Sequence, residues 1–238
     1  MPKCDQFLYT FASWNIQGLR SKSHDKTRDP YFKQEIKNFD VVGLLETHTV
    51  EGQDPEIPIA GFETFYIHQP KHKNAPHGSG GIAILIKPHL RKGIKLFPSK
   101  TKDYVWLQLD KASLGLRKSL FICFAYIPPP ESTYSKRLHQ NILDLIESDI
   151  YNYKTRGDII LMGDLNARTA KNVDFIRNDA LTHIPLSNDY SLDTDIPCRK
   201  SQDNVTDERG KHLLEICISA QLRILNGRKN RGHAGIPN

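Results

Sequence analysis

Two uninterrupted apolar runs constrain the fold of this chain more than any other feature of its sequence. Residues 120–127 and 159–162 lack the apolar–polar alternation of a half-exposed strand. Strands of this kind are covered on both faces. Between the two runs, apolar side chains recur at helical spacing: Leu138, Ile142, Leu145, Ile146, Ile150 and Tyr153. Buried central strands separated by helices indicate a layered α/β sandwich.

The rest of the chain alternates strand-like runs with helical patterns and contains no internal repeat. Asp29 and Pro30 are typical of a helix start, and Ser132 or Thr133 is the expected cap of the longest helix. Further strands are predicted at 7–15, 40–46, 62–68, 81–87, 104–109, 118–126, 158–163 and 223–226. A last helix is indicated by Leu213, Leu214, Cys217 and Ala220. We predict one domain over residues 1–226, with a polar loop at 167–204 and a disordered tail at 227–238.

Composition excludes several classes of protein. The 238 residues include 33 Lys and Arg against 27 Asp and Glu, a net charge of +6, and the pI is about 9.0. This charge is a modest bias towards a polyanionic partner. No apolar run approaches the roughly 20 residues of a membrane-spanning helix, so we expect neither a membrane protein nor a secreted one. Four scattered cysteines without a C-x-x-C pair argue against a zinc ribbon or disulfide framework and favour an intracellular protein, nuclear or cytoplasmic.

Polar side chains fall at the ends of the apolar strands. They are Asn15, Glu46, Tyr126, Asp164 and Asn166. Strand ends are rigid and their loops converge on one rim of a sheet. A carboxylate beside an amide suits the orientation of a water and bonding to a phosphate oxygen, and Glu46 offers a hard oxygen ligand for Mg²⁺. The alternatives are that Asp164 and Asn166 form a turn, that Tyr126 belongs to the core, and that Asn15 and Glu46 only end their strands.

Five motifs in a fixed order carry a family resemblance. They are SWNIQGLR at 13–20, LET at 45–47, GGIAIL at 80–85, YIPP at 126–129 and GDLNAR at 163–168. Together they resemble the endonuclease/exonuclease/phosphatase family, over nearly the whole of residues 7–226. The 163–168 motif and the 207–226 segment are most similar to the endonuclease domain of LINE-type retrotransposons.

The resemblance implies a four-layered α/β sandwich, in which two mixed β-sheets pack face to face with helices outside. It implies Mg²⁺-dependent hydrolysis of DNA phosphodiesters by an in-line water, with Mn²⁺ able to replace Mg²⁺ and no small-molecule cofactor. By the same resemblance Glu46 holds the metal and Asn15 helps to bind metal or phosphate. Tyr126 bonds the scissile phosphate, Asp164 orients or deprotonates the water, and Asn166 stabilises the developing charge.

Two departures from the family pattern qualify this expectation. Gln17 lies close to where some members carry an acidic second metal ligand. The family also has further strands after the position of Asn226, which carry an Asp and end in Ser-Asp-His, and this sequence has no such motif. We therefore expect a domain truncated at its C-terminus and inactive or weakly active. The alternatives are a non-catalytic remnant that binds nucleic acid and a phosphomonoesterase of the same fold.

Basic side chains near the predicted site are candidate contacts for DNA phosphates. They are Arg20 and Lys22, with Lys26 and Arg28 further along the same loop, and Lys71 and Lys73 in the polar stretch at 68–80. A solvated basic face is the alternative interpretation. His68, His72 and His77 lack the paired spacing of zinc ligands, so we expect a loop there and not a metal centre.

Overall fold

The computed structural model describes residues 8–21, 23–52, 59–69, 78–137, 140–177, 193 and 196–228. The chain forms two compact units, residues 1–166 and residues 167–238, and each is described by itself. The single domain over 1–226 stays a prediction. No helix in the described part of the chain is long and apolar enough to cross a membrane.

Among its described residues the first unit contains two four-stranded sheets, and both are mixed. The first sheet consists of β1 (Phe11–Asn15), β2 (Val41–Leu45), β3 (Glu63–Ile67) and β4 (Ile82–Ile86) in the order β1-β2-β4-β3. Only its β1–β2 pair is parallel. The second sheet consists of β5 (Ile94–Pro98), β6 (Tyr104–Leu109), β7 (Ser119–Tyr126) and β8 (Gly157–Asp164), in sequence order. Only its β7–β8 pair is parallel.

The two sheets pack face to face through one apolar core. Leu45 and Ile84 of the first sheet share this core with Val105, Ile122 and Phe124 of the second. The prediction that both faces of the apolar strands are covered is confirmed for β7, where only Leu120 is partly exposed. It is wrong for residues 159–162 of β8, which are half-buried because β8 is an edge strand.

Helices cover the outer faces of both sheets, which completes four layers. In α1 (Pro30–Lys37), Phe32 and Ile36 pack against Val42 and Leu85 of the first sheet. In α3 (Ile142–Lys154), Asp149 accepts hydrogen bonds from two aromatic side chains of β6, Tyr104 and Trp106. A short α2 (Lys111–Leu114) and 3-10 turns at Lys26–Arg28, Pro88–Gly93 and Ser135–Arg137 complete the described helices of this unit. The predicted four-layered α/β sandwich is confirmed.

Local sequence signals locate most of these elements. The Asp29 side chain accepts from the backbone N–H of Tyr31, as its predicted role as the cap of α1 requires. The predicted cap of α3 is wrong, because the helix begins after Asn141, whose side chain accepts from the Leu143 N–H. The sequence patterns missed β5, an edge strand that is half-exposed and ends at Pro98.

The second unit contains α4 (Glu208–Ser219), which confirms the predicted last helix. Among the described residues of 167–204 there is no helix or extended strand, as expected. The strand predicted at 223–226 is wrong, since this segment bonds to a buried carboxylate instead. The Ile224 N–H donates to Asp174 Oδ2 at 2.6 Å, and Arg228 pairs with the same carboxylate. In the predicted tail, residues 229–238 lie outside the described residues.

Replacing Gly43 by Ala tests the contact between the sheets. A Cβ at this buried position of β2 would lie 2.2 Å from Cδ1 of Phe124 on β7. Overpacking of this kind costs about 1–3 kcal/mol, so we expect the free energy of unfolding in urea to fall by that amount. In a Phe124→Leu background the same substitution should cost less. An equal cost in both backgrounds would show that the two side chains do not meet.

Candidate active site

The carboxyl ends of four strands meet at one rim of the first unit. Asn15 ends β1, Glu46 directly follows β2, Tyr126 ends β7 and Asp164 ends β8. The Asn15 Nδ2 donates to Asp164 Oδ2 at 2.8 Å, which joins the two sheets although 149 residues separate the partners. The Asn15 Oδ1 accepts the Gln17 N–H at 3.1 Å, so the orientation of the amide is fixed from both sides.

Tyr126 and Glu46 form the second half of this cluster. The phenol is buried, with 8% of the residue exposed. Burial raises the pKa of Tyr126 well above its ordinary value, and a hydrogen bond to Glu46 and the charges of Glu46, Asp164 and Asp103 act in the same direction. Tyr126 is therefore a protonated hydrogen-bond donor at neutral pH.

Left-handed backbone is concentrated at this rim. Four of the seven described non-glycine residues with positive φ are found here: Gln17, Glu46, His48 and Asn166. Such conformations cost free energy and are held in place by their surroundings. The segment after β2 is held by two backbone hydrogen bonds. The His48 N–H donates to the Gly80 carbonyl at 2.9 Å, and the Thr47 N–H donates to the Gly81 carbonyl at 3.2 Å.

Asn166 lies within the same cluster and is held by one backbone and one side-chain hydrogen bond. Its N–H donates to Asp164 Oδ1 at 3.1 Å, and its Nδ2 donates to the Ile127 carbonyl at 2.9 Å. The structure thus brings together all five predicted strand-end residues. Their catalytic roles stay predictions.

The donor atoms at the rim fit a small divalent cation. Glu46 and Asp164 supply carboxylate oxygens and Asn15 supplies an amide oxygen, which are the hard ligands that Mg²⁺ takes. The described residues contain no group of three or more His, Cys, Asp and Glu side chains able to hold a metal. One or two carboxylates are enough for Mg²⁺, because it keeps several waters and uses substrate phosphates as ligands. The residues therefore fit this cation with Glu46 as the principal ligand.

Sequence reasoning missed several polar residues beside the rim. His48 Nε2 lies 3.9 Å from Glu46 Oε2, and its position two residues after Glu46 was an available signal. The buried Asp103 and Gln69 form a hydrogen-bonded group with the half-buried Tyr134, next to Tyr126. Nothing in their spacing pointed to this group, because the partners are more than 30 residues apart.

The predicted nucleic-acid contacts are only partly described. Arg20 Nε pairs with Asp25 Oδ2 at 3.2 Å. The Lys26 Nζ donates to the carbonyl groups of Ile16 and Gly18, so it supports the loop after β1 instead of facing a ligand. Arg28 Nε lies 3.5 Å from Asp25 Oδ2. The remaining predicted contacts and two of the loop histidines lie outside the described residues: Lys22, Lys71, Lys73, His72 and His77.

The charge of Asp103 gives stability a distinct pH dependence. Burial raises its pKa to about 6, although hydrogen bonds from Tyr134 and Thr101 act in the opposite direction. A carboxyl whose pKa is higher in the folded state stabilises the fold when protonated, so its contribution is lost as pH rises from about 4 to about 6. We expect the stability of Asp103→Asn relative to wild type to increase by up to about 3 kcal/mol between pH 4 and pH 7. Urea unfolding at both pH values measures this, with the exposed Asp158→Asn as control; a pH-independent difference would contradict it.

The described residues of the first unit thus define a sandwich of two mixed sheets with polar strand ends at one rim. The sequence profile of the endonuclease/exonuclease/phosphatase family matches residues 12–198, and the chain belongs to this family. Its members generally depend on a divalent metal. No curated protein matches the sequence.

Solved structures show the same fold at low sequence identity. The AP endonuclease LMAP from Leishmania major is 18% identical with a TM-score of 0.50, over 68% of this chain and 56% of that protein. An AP endonuclease from Archaeoglobus fulgidus is 15% identical (TM-score 0.44; 68% and 59% covered). A variant of the 3′ phosphatase NExo from Neisseria, bound to product DNA hairpin, is 13% identical (TM-score 0.44; 68% and 60% covered). The chain thus matches less than two thirds of the length of these three proteins.

Proposed function

We propose that this protein is a weakly active Mg²⁺-dependent DNA endonuclease of the retrotransposon type. The observation that carries the proposal is the joined cluster at the rim, where Asn15 bonds to Asp164 and Tyr126 bonds to Glu46. The retrotransposon assignment is supported by the 163–168 motif and the 207–226 segment of the sequence.

The cluster offers each group that hydrolysis of a phosphodiester needs. Asp164 is held by Asn15 on one oxygen and by the Asn166 N–H on the other, so its carboxylate is oriented to accept a proton from an attacking water. The single hydroxyl hydrogen of Tyr126 bonds to Glu46 in the free protein and would turn to a phosphate oxygen of a bound substrate. Asn166, which bonds to the Ile127 carbonyl, lies beside it to stabilise negative charge. Glu46 and Asn15 would hold the Mg²⁺, which supplies Lewis-acid stabilisation of charge on the phosphate and the leaving oxygen.

DNA is favoured over a small phosphomonoester by charge. The net charge of +6 favours a polyanion. The predicted contacts Lys71 and Lys73 would bond to successive phosphates, which gives affinity without sequence preference.

Cleavage of supercoiled plasmid under single-turnover conditions, with the chain in excess over DNA, tests the proposal. We expect conversion to nicked circles with Mg²⁺ and none with EDTA, and no turnover of a soluble phosphomonoester such as p-nitrophenyl phosphate. Turnover of the phosphomonoester without nicking would assign the chain to the phosphatases. Salt-dependent DNA binding without cleavage would make it a binding module. Either outcome would overturn the endonuclease proposal.

Salt dependence tests the predicted phosphate contacts separately from cleavage. We expect the double substitution Lys71→Gln/Lys73→Gln to reduce the slope of log affinity against log salt by about 2, since each contact contributes about 0.9. Lys111→Gln/Lys118→Gln is the matched control, because Lys118 precedes β7 at the end of the strand away from Tyr126. Binding measured by fluorescence anisotropy decides the point. Equal slopes for the two double variants would exclude Lys71 and Lys73 as contacts.

A further inference from the structure

Asp103 is a buried carboxylate with neutral hydrogen-bond donors as its partners. It lies at the end of the 99–103 turn that joins β5 to β6, and 2% of the residue is exposed. Its Oδ1 accepts from Gln69 Nε2 at 2.8 Å, and its Oδ2 accepts from the Tyr134 hydroxyl at 2.9 Å. Within the described residues no Lys, Arg or His nitrogen pairs with this carboxylate. Burial of such a charge is costly, and neutral donors offset that cost only in part.

The same residue is connected to Tyr126 through the backbone. The Tyr126 N–H donates to the Asp103 carbonyl at 2.9 Å. Gln69 continues the connection, because a Cβ added at Gly80 would lie 3.1 Å from Gln69 Cγ and 3.9 Å from Tyr126 Cδ1. The Gly80 carbonyl in turn accepts the N–H of His48, in the segment that follows Glu46. Asp103 therefore bonds directly to the backbone of Tyr126, and through Gln69 and Gly80 it is connected to the segment that follows Glu46.

We propose that Asp103 is a positioning residue, whose ionised carboxylate holds Gln69 and Tyr134 in place and thereby fixes Tyr126 for its contact with the phosphate. The consequence for catalysis rests on the proposed function. The ionised carboxylate accepts from both donors. A protonated Oδ2 would instead donate to Tyr134, whose own hydrogen would turn to the Thr101 carbonyl, 3.4 Å from the hydroxyl. Asp103 thus has two hydrogen-bonding states, and they differ at Tyr134 and in the charge felt by Tyr126.

Several other titratable groups surround this network and have to be separated from Asp103. Tyr134 contacts it directly, and Tyr126 also responds to Glu46 and Asp164. Three basic residues also lie near Asp103. Lys102 precedes it on the same turn, His68 precedes Gln69, and the N–H of His48 donates to the Gly80 carbonyl. Histidines are the groups that most often titrate near neutral pH, so both need their own controls.

NMR of the full chain labelled with ¹³C-tyrosine tests the proposal without any need for activity. With Tyr126 assigned from Tyr126→Phe, we expect its ring resonance to shift with a midpoint near pH 6, the value to which burial raises the pKa of Asp103. The shift should disappear in Asp103→Asn. It should move to higher pH in Tyr134→Phe, because that hydrogen bond stabilises the ionised carboxylate. It should persist in His48→Gln, in His68→Gln and in Asp149→Asn, which removes a half-buried carboxylate that also has an aromatic partner.

A midpoint unchanged in both Asp103→Asn and Tyr134→Phe would overturn the proposal. If Asp103→Asn fails to fold, Tyr134→Phe decides the question alone.

The rate of nicking as a function of pH is the second measurement. We expect wild type to gain activity through pH 6 and Asp103→Asn to lack this step. If the wild type does not nick at all, the endonuclease proposal fails while the NMR titration still decides the positioning of Tyr126. If nicking occurs with the same pH profile in both proteins, the role of Asp103 is structural only.

Discussion

Asp164→Asn should lower the single-turnover rate of DNA nicking by about 10³-fold or more. The removal of one member of a catalytic unit typically has an effect of this size. An Asn side chain has nearly the same shape, but it has one acceptor oxygen where Asp164 has two, so it keeps only one of the hydrogen bonds from Asn15 Nδ2 and the Asn166 N–H. It also cannot take a proton from water. We expect the large loss in the rate, with a fall in stability of no more than about 1–3 kcal/mol for the donor left without an acceptor.

Asp158→Asn is the matched control for this substitution. Asp158 lies on the same strand, β8, near its other end, where its exposed carboxylate is 3.6 Å from Lys118 Nζ. Exposed pairs of this kind contribute little, so rate and stability should stay within error of wild type. If Asp164→Asn nicks as fast as Asp158→Asn, Asp164 takes no part in the reaction.

Glu46→Gln should remove most of the affinity for a divalent cation. Glu46 is the principal predicted ligand, and its side chain is only 17% exposed, next to Tyr126 and His48. Substitution of groups that merely support metal ligands already costs about 10–100-fold in affinity, so loss of the carboxylate itself should cost at least as much. The backbone at this position has φ +53, which Gln adopts as readily as Glu, so the fold should be retained.

Titration with Mn²⁺ alone, followed by its electron paramagnetic resonance signal, measures this affinity without DNA. Glu63→Gln is the control, because Glu63 lies on β3 of the same sheet and pairs with Arg91 at 3.3 Å, away from the strand ends. We expect Glu63→Gln to bind Mn²⁺ like wild type. Equal binding by Glu46→Gln and wild type would mean that Glu46 is not the ligand.

The sequence was sufficient for the layered fold because its central strands are distinctive. The apolar run of β7 is almost fully buried, as its composition predicts. The run at 159–162 has the same composition but lies on an edge strand, and only the pairing of strands, a long-range property, decides this. β5 was missed for a related reason, since an edge strand with half-exposed side chains and a terminal proline has little periodic signal.

The candidate site also contains residues that the sequence predicts and residues that it does not. Asn15, Glu46, Tyr126 and Asp164 were predictable because each ends a recognisable strand, and the carboxyl ends of parallel neighbours meet at one edge. The buried group around Asp103 was not predictable, because its partners come from three separate loops. Lys26 shows a contact that its position in the sequence does not reveal, since its Nζ donates to backbone carbonyl groups of its own loop.

The central claim is that the strand-end residues of the two sheets act as one hydrolytic unit, and a double-mutant comparison of nicking rates tests it most directly. Single-turnover rates with Mg²⁺ are measured for wild type, Asp164→Asn, Glu46→Gln and the double variant. Because members of a catalytic unit act non-additively, we expect each single variant to be about as impaired as the double variant. Multiplicative losses, or rates equal to wild type in both single variants, would contradict the claim that Glu46 and Asp164 belong to one active site.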